Sequence, residues 1–179
     1  MSAADATLGH AAVTDWLRRF AAAVAEHKAE LVRLDTAIGD GDHGTNMDRG
    51  MRKVVEKLDG LEGPDIGATL KAVGMTLVSS VGGAAGPLYG TLFLQMGTAS
   101  AGREELDLEG WTAALDSGVQ GVKMRGKAEP GDKTMLDALL PALEALRSAS
   151  AERVSASGSA APSADAAREG MEPTLRGPR

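Results

Sequence analysis

Residues 34–58, LDTAIGDGDHGTNMDRGMRKVVEKL, decide how the chain is read, because a carboxylate-rich turn runs directly into a helical stripe. Met47, Met51, Val54, Val55 and Leu58 recur at the spacing of one helix face, and DGLEGPD then breaks the pattern. The same period continues on either side. Upstream, Val13, Leu17, Phe20 and Val24 share a face with Trp16, Thr14 is placed as an N-cap, and Leu31 and Leu34 lead into the turn. Downstream come Ile66, Leu70, Val73 and Leu77, then Leu88, Leu92 and Met96 behind a first-turn Pro87. Leu108, Trp111, Leu115, Val119 and Val122 form one further stripe, and Met135, Leu136, Leu139, Leu140, Leu143 and Leu146 another. Pro141 is expected to kink or interrupt that last helix. No segment sustains the period-2 alternation of a strand, so the fold class is all-α.

The chain has 179 residues, enough for a domain with a sizeable core. Aromatic residues are only 3% of it, so the core must be built from Ala, Leu, Val and Met. Cysteine is absent, which excludes disulfides and thiolate metal sites. A net charge of −6 argues against a general role on nucleic acid. No apolar run approaches the roughly 20 residues of a membrane span, and MSAADATLGHAAVTD lacks a signal pattern, so a cytoplasmic location without membrane attachment is expected. From Ser148 the composition turns to Ala, Ser, Gly and Pro, the character of a linker or long loop, with one short helix allowed around Ala164 to Met171. The expected organisation is a helical domain over 1–147 and a linker with a curtailed C-terminal segment over 148–179.

Asp35, Asp40 and Asp42 fall within eight residues. Carboxylates this close repel one another unless a cation shares them, and magnesium or calcium are hard cations that take oxygen ligands. Gly39, Gly41 and Gly44 between them permit a sharp turn and a close backbone approach. An EF-hand is excluded by spacing: counted from Asp40, the fifth position is Gly44, the sixth Thr45 and the twelfth Met51. A magnesium held partly by a phosphorylated ligand fits better. His43 reads as a donor to phosphate rather than a phosphoryl acceptor or general base, since no catalytic partner accompanies it. His10 and His27 are expected on solvated helix surface.

Two further stretches suit an anion. Gly82-Gly83-Ala84-Ala85-Gly86-Pro87 would expose backbone N–H groups at a helix N-terminus, although the same residues also suit a close helix–helix turn. The stretch 125–134, RGKAEPGDKT, has a Walker-like gap between Gly126 and Gly131. Asp132 nevertheless intervenes before Lys133-Thr134, and no strand precedes it. It reads as a loop that can line a nucleotide site, with Asp132 capping the next helix and Met135 placed to pack on a base.

Taken together, LDTAIGDGDHGTNMDRG, MTLVSSVGGAAGPLYGTLF and RGKAEPGDKTMLDAL, in this order, resemble the L subunit of phosphotransferase-dependent dihydroxyacetone kinase, from about Thr14 to Leu146. The resemblance implies an antiparallel barrel of eight helices that binds ADP or ATP through two magnesium ions at one rim. It implies Asp35, Asp40 and Asp42 as metal ligands. His43, Gly44, Thr45 and Asn46, with Ala84 and Ala85, would contact the phosphates, and Gly126 and Met135 would border base and sugar. The implied activity is a phosphoenolpyruvate-dependent phosphotransferase. Bound ADP would be rephosphorylated by a phosphohistidine subunit and discharged onto dihydroxyacetone on a separate K subunit. A homodimer is compatible with this reading. The sequence departs from the family pattern at Ala85, where a serine is usual, and after the linker, where the family's final segment and last helix are expected to be missing. The alternatives are an ATP-dependent dihydroxyacetone-kinase-like or fatty-acid-kinase-like domain, and a degenerate nucleotide-binding or regulatory module.

Overall fold

The computed structural model describes residues 7–152 and 156–175. Its helices are α1 (His10–Glu26), α2 (Lys28–Thr36), α3 (His43–Asp59), α4 (Ile66–Ser80), α5 (Ala85–Ala99), α6 (Leu108–Gly126), α7 (Leu136–Ala151) and α8 (Ala156–Met171), followed by a 3-10 turn at Glu172–Leu175. Two short strands, β1 (Leu8–Gly9) and β2 (Glu105–Leu106), pair antiparallel. Each apolar stripe becomes a buried face. Ile66, Leu70, Val73 and Leu77 of α4 are wholly inaccessible, and Met47, Met51 and Val54 of α3 meet them in the same core. From α2 onward, each helix packs against the next in sequence. Gly118 of α6 lies against Leu92 and Met96 of α5, and the Ser163 hydroxyl of α8 donates to the Ala142 carbonyl of α7 at 3.0 Å.

Three sequence expectations change, and one is narrowed. Helix α1 starts at His10 with Gly9 as its cap, because β1 pairing fixes the chain direction there, so Thr14 lies inside the helix and its hydroxyl is buried without a partner. His10 is not solvated, since its Nε2 sits 2.9 Å from the hydroxyl of buried Thr69. Pro141 lies within α7 without ending it, and the Asp137 carbonyl, which Pro141 cannot bond, faces Gly170 of α8. The Ala/Ser-rich stretch, expected as a linker with one short helix allowed around Ala164 to Met171, is helical over Ala156–Met171. Its alanines are strong helix formers, and its small side chains let α8 lie close on α7, where Ser159 is buried.

Helix α2 buries no residue completely, and Leu34 on it is 37% exposed. It is tied to α3 by charge. Asp48, 4% exposed, receives Lys28 Nζ of α2 at 3.0 Å and Arg52 Nη2 at 2.9 Å. The hydrogen bond from Lys28, with the charges of Arg52 and Lys28, holds this carboxyl below the usual aspartate range despite its burial. A depressed folded-state pKa adds stability above the ordinary carboxylate pKa, and that stability is lost as pH falls through the lower folded value. Asp48→Asn is therefore expected to lower stability at pH 7 by about 1–2 kcal/mol, because both cations keep part of their hydration. The difference from the parent should shrink on acidification below pH ~4. Urea denaturation at both pH values measures it.

Candidate functional site

The carboxylate turn is built by its own backbone. After α2, the N–H groups of Ile38 and Gly39 donate to the Asp35 carbonyl at 2.9 and 2.6 Å. Gly41 then takes a left-handed φ of 75°, at a point where a side chain would also meet the Thr36 hydroxyl. The His43 N–H donates to Asp35 Oδ2 at 3.1 Å, and the Asp42 N–H to Asp40 Oδ1 at 3.4 Å. These bonds fold the three carboxylates toward one another, with an oxygen from each inside a 4.8 Å cluster. Asp35 is half-buried, while Asp40 and Asp42 are exposed. An all-oxygen cluster of three carboxylates has the donor chemistry of a hard divalent cation site.

The cluster opens into a cavity of about 750 Å³, within the range of small-molecule sites. Its second wall is the turn Gly82-Gly83-Ala84 and the N-terminus of α5, where Gly83 has φ 65°. Free N–H groups and the positive end of the helix dipole make that wall attractive to phosphate. Leu88 and Tyr89 lie one turn further along α5, and Lys133, Thr134 and Met135 complete the lining. Phe20 of α1 packs against Tyr89, ring centroids 6.3 Å apart. Burial pushes the Tyr89 phenol above its ordinary pKa.

The third wall corrects one expectation. Asp132 does not cap α7; its Oδ2 accepts the Glu129 N–H at 2.8 Å. The cap is reciprocal: Thr134 Oγ1 accepts the Leu136 N–H at 3.3 Å, and Asp137 Oδ2 accepts the Thr134 N–H at 3.2 Å. Asp137 also accepts the Gly131 N–H at 2.6 Å, which fixes the loop over the cavity.

Of the residues expected at the site, Asp35, Asp40, Asp42, His43, Ala84, Ala85 and Met135 share the cavity. Gly44, Thr45, Asn46 and Gly126 are not among its lining residues. Gly44 is buried against the Lys28 carbonyl, and Thr45 faces a second cavity of about 310 Å³ with Lys28, Asp48 and Arg49. The Asn46 side chain is turned toward Asp42 and Arg49. Gly126 stands behind Leu88, which does line the cavity. Tyr89, the chain's single tyrosine, escaped the sequence reading; its position four residues after Ala85 puts it on the same helix face, which was the available signal.

The DAK2 domain family matches residues 37–176, through α8 and beyond the extent at which the sequence resemblance ended. The chain belongs to that family. It is 47% identical over 149 residues to the ADP-binding subunit DhaL of the PEP-dependent dihydroxyacetone kinase of Escherichia coli K12, covering 83% of this chain and 71% of that one. The corresponding subunit of kinase 1 from Listeria innocua is 47% identical over 131 residues, with 73% and 66% covered. Triokinase/FMN cyclase of Bos taurus is 37% identical over 176 residues, 94% of this chain but 29% of that protein. Among solved structures, the dihydroxyacetone kinase of C. freundii in complex with AMP-PNP and Mg2+ superimposes with a TM-score of 0.78 at 27% identity, over 94% of this chain and 30% of that one.

Proposed function

We propose that this chain is the ADP- and magnesium-binding subunit of a dihydroxyacetone kinase, relaying a phosphoryl group from a phosphohistidine protein through bound nucleotide to dihydroxyacetone on a partner K subunit. The observation that carries the reading is the joint lining of one cavity by three carboxylates and the N-terminal turn of α5. Higher identity to PEP-dependent subunits than to triokinases supports a phosphohistidine donor over free ATP.

Phosphoryl transfer depends on positioning and charge neutralisation more than on covalent help from the protein. A pair of magnesium ions held by Asp35, Asp40 and Asp42 would supply neutralisation of the phosphate oxygens. The chain's own groups do the remaining work. N–H groups at Gly83, Ala84 and Ala85 cradle phosphate, His43 and the Tyr89 hydroxyl donate to it, and Leu88 and Met135 give the base an apolar seat. The acceptor and the phosphoryl donor come from partner subunits.

The test is the nucleotide that accompanies the native chain through purification. ADP, released on denaturation near one equivalent per chain and rephosphorylated in place by a phosphohistidine donor, is the expected result. Free exchange with ATP and no phosphorylation by that donor would point instead to the ATP-dependent reading. Ala85→Ser restores the hydroxyl usual in the family beside the phosphate turn. It should tighten ADP binding by about 2- to 10-fold, the equivalent of one hydrogen bond, read by calorimetry with magnesium.

A further inference from the structure

Asn46 is 7% exposed, and both ends of its amide are taken. Its Nδ2 donates to Asp42 Oδ2 at 2.6 Å, and its Oδ1 accepts from Arg49 Nη2 at 2.8 Å. The same guanidinium donates through Nε to the Ser80 carbonyl at 3.3 Å, at the C-terminus of α4. Gly82, at the start of the phosphate turn, lies directly on the amide, so closely that a Cβ there would stand 3.0 Å from Asn46 Nδ2. One amide is thus the shared wall between the carboxylate turn and the glycine turn.

We infer that Arg49 is a positioning residue for the cation site, acting through Asn46 on Asp42. A primary amide can present either its oxygen or its nitrogen to a neighbour, whereas a guanidinium only donates. With Arg49 at one end, the oxygen must face the guanidinium and the NH2 group must face Asp42. The reversed amide would set its oxygen against the carboxylate. Held this way, Asp42 spends Oδ2 on Asn46 and keeps Oδ1 for a cation. The bond to Ser80 O fixes the same unit to the end of α4, which sets the separation between the metal ligands and the phosphate turn. Arg49 lines the second cavity and not the first, so it reaches the site only through this relay. Such supporting partners govern metal affinity in many sites, where their loss weakens binding about 10- to 100-fold.

The inference rests on the cation site of the proposed function but not on the nucleotide, and the experiment separates the two. Manganese binding to the full chain, without nucleotide, is followed by electron paramagnetic resonance for wild type, Arg49→Met, Arg49→Lys, Asn46→Ala and the Arg49→Met/Asn46→Ala double variant. Arg49→Met is expected to weaken manganese binding about tenfold. The double variant should be no weaker than Asn46→Ala alone, because Arg49 then has nothing to act through. Melting temperatures without metal should stay within a few degrees of wild type. Arg49→Lys keeps the charge but cannot bridge both acceptors, so it should weaken binding in the same direction, and it carries the test if Arg49→Met does not fold. Wild-type manganese affinity in the arginine variants, or additive losses in the double variant, would overturn the relay. A wild-type chain that binds no manganese overturns relay and cation site together. Manganese binding without ADP binding overturns the nucleotide reading alone, and the variant comparison still decides the relay.

Discussion

Replacing Asp40 with alanine is expected to lower magnesium-dependent ADP affinity at least a hundredfold, or about 2.8 kcal/mol, while the helical circular dichroism spectrum is unchanged. Asp40 is the cleanest of the three carboxylates to remove. Asp35 accepts the His43 N–H and Asp42 accepts the Asn46 amide, so alanine at either disturbs the start of α3 as well as the ligand set. Asp40 is exposed and accepts the Asp42 N–H at a long 3.4 Å. Its loss takes away a metal ligand and leaves the turn standing. Without magnesium the variant should be no less stable than wild type, since one of three mutually repelling charges has gone. Calorimetric titration at fixed magnesium decides the matter, and wild-type ADP affinity in this variant would remove the carboxylate cluster from the site.

The chain displays its core openly and its site only in part. Ile66, Leu70, Val73 and Leu77 were legible because a fully buried face needs an apolar residue at every turn, and the four are indeed wholly inaccessible. The carboxylate turn was legible for a different reason: Asp35, Asp40 and Asp42 are local in sequence, so the loop that crowds them is written in one stretch. Caps misled because Thr and Asp are only generically favoured at helix ends. At Thr14 the β1–β2 pairing overruled the preference, and at Asp132 a tighter turn did. Helix α8 carries the Ser, Gly and Pro of a linker, and the sequence allows a helix only around Ala164 to Met171. Close packing on α7 turns those small residues into an asset, and nothing local announces that. Tyr89 and Arg49 act through partners up to 69 residues away in sequence, as with Phe20, or 31, as with Ser80. Periodicity cannot report such pairings.

The α4–α5 contact should be the least forgiving part of the fold. Gly67 and Gly97 stand opposite one another where the two helices touch backbone to backbone. A Cβ on Gly97 would lie 2.7 Å from both the Gly67 carbonyl oxygen and the Lys71 nitrogen, and one on Gly67 would lie 2.6 Å from the Ala101 Cα. Backbone cannot move aside as a flexible side chain can, so Gly97→Val must push the helices apart. Intrinsic propensity alone would favour valine over glycine in a helix by about 0.4 kcal/mol. Overpacking opposes it by roughly 1–3 kcal/mol where side chains can adjust, and here they cannot. Separating the helices also opens the core face formed by Leu70 and Val73 against Phe93 and Met96. The sum is expected to reach at least about 3 kcal/mol, a large share of the 5–15 kcal/mol margin of a domain. The phosphate turn at 82–84 joins these same two helices, so ADP affinity should fall in parallel. Met75→Ala, on the exposed side of α4, serves as the control that should leave both properties close to wild type. Urea midpoints and ADP titrations on the three proteins make the comparison. A Gly97→Val chain as stable as the parent would mean that α4 and α5 do not approach as closely as their glycines indicate.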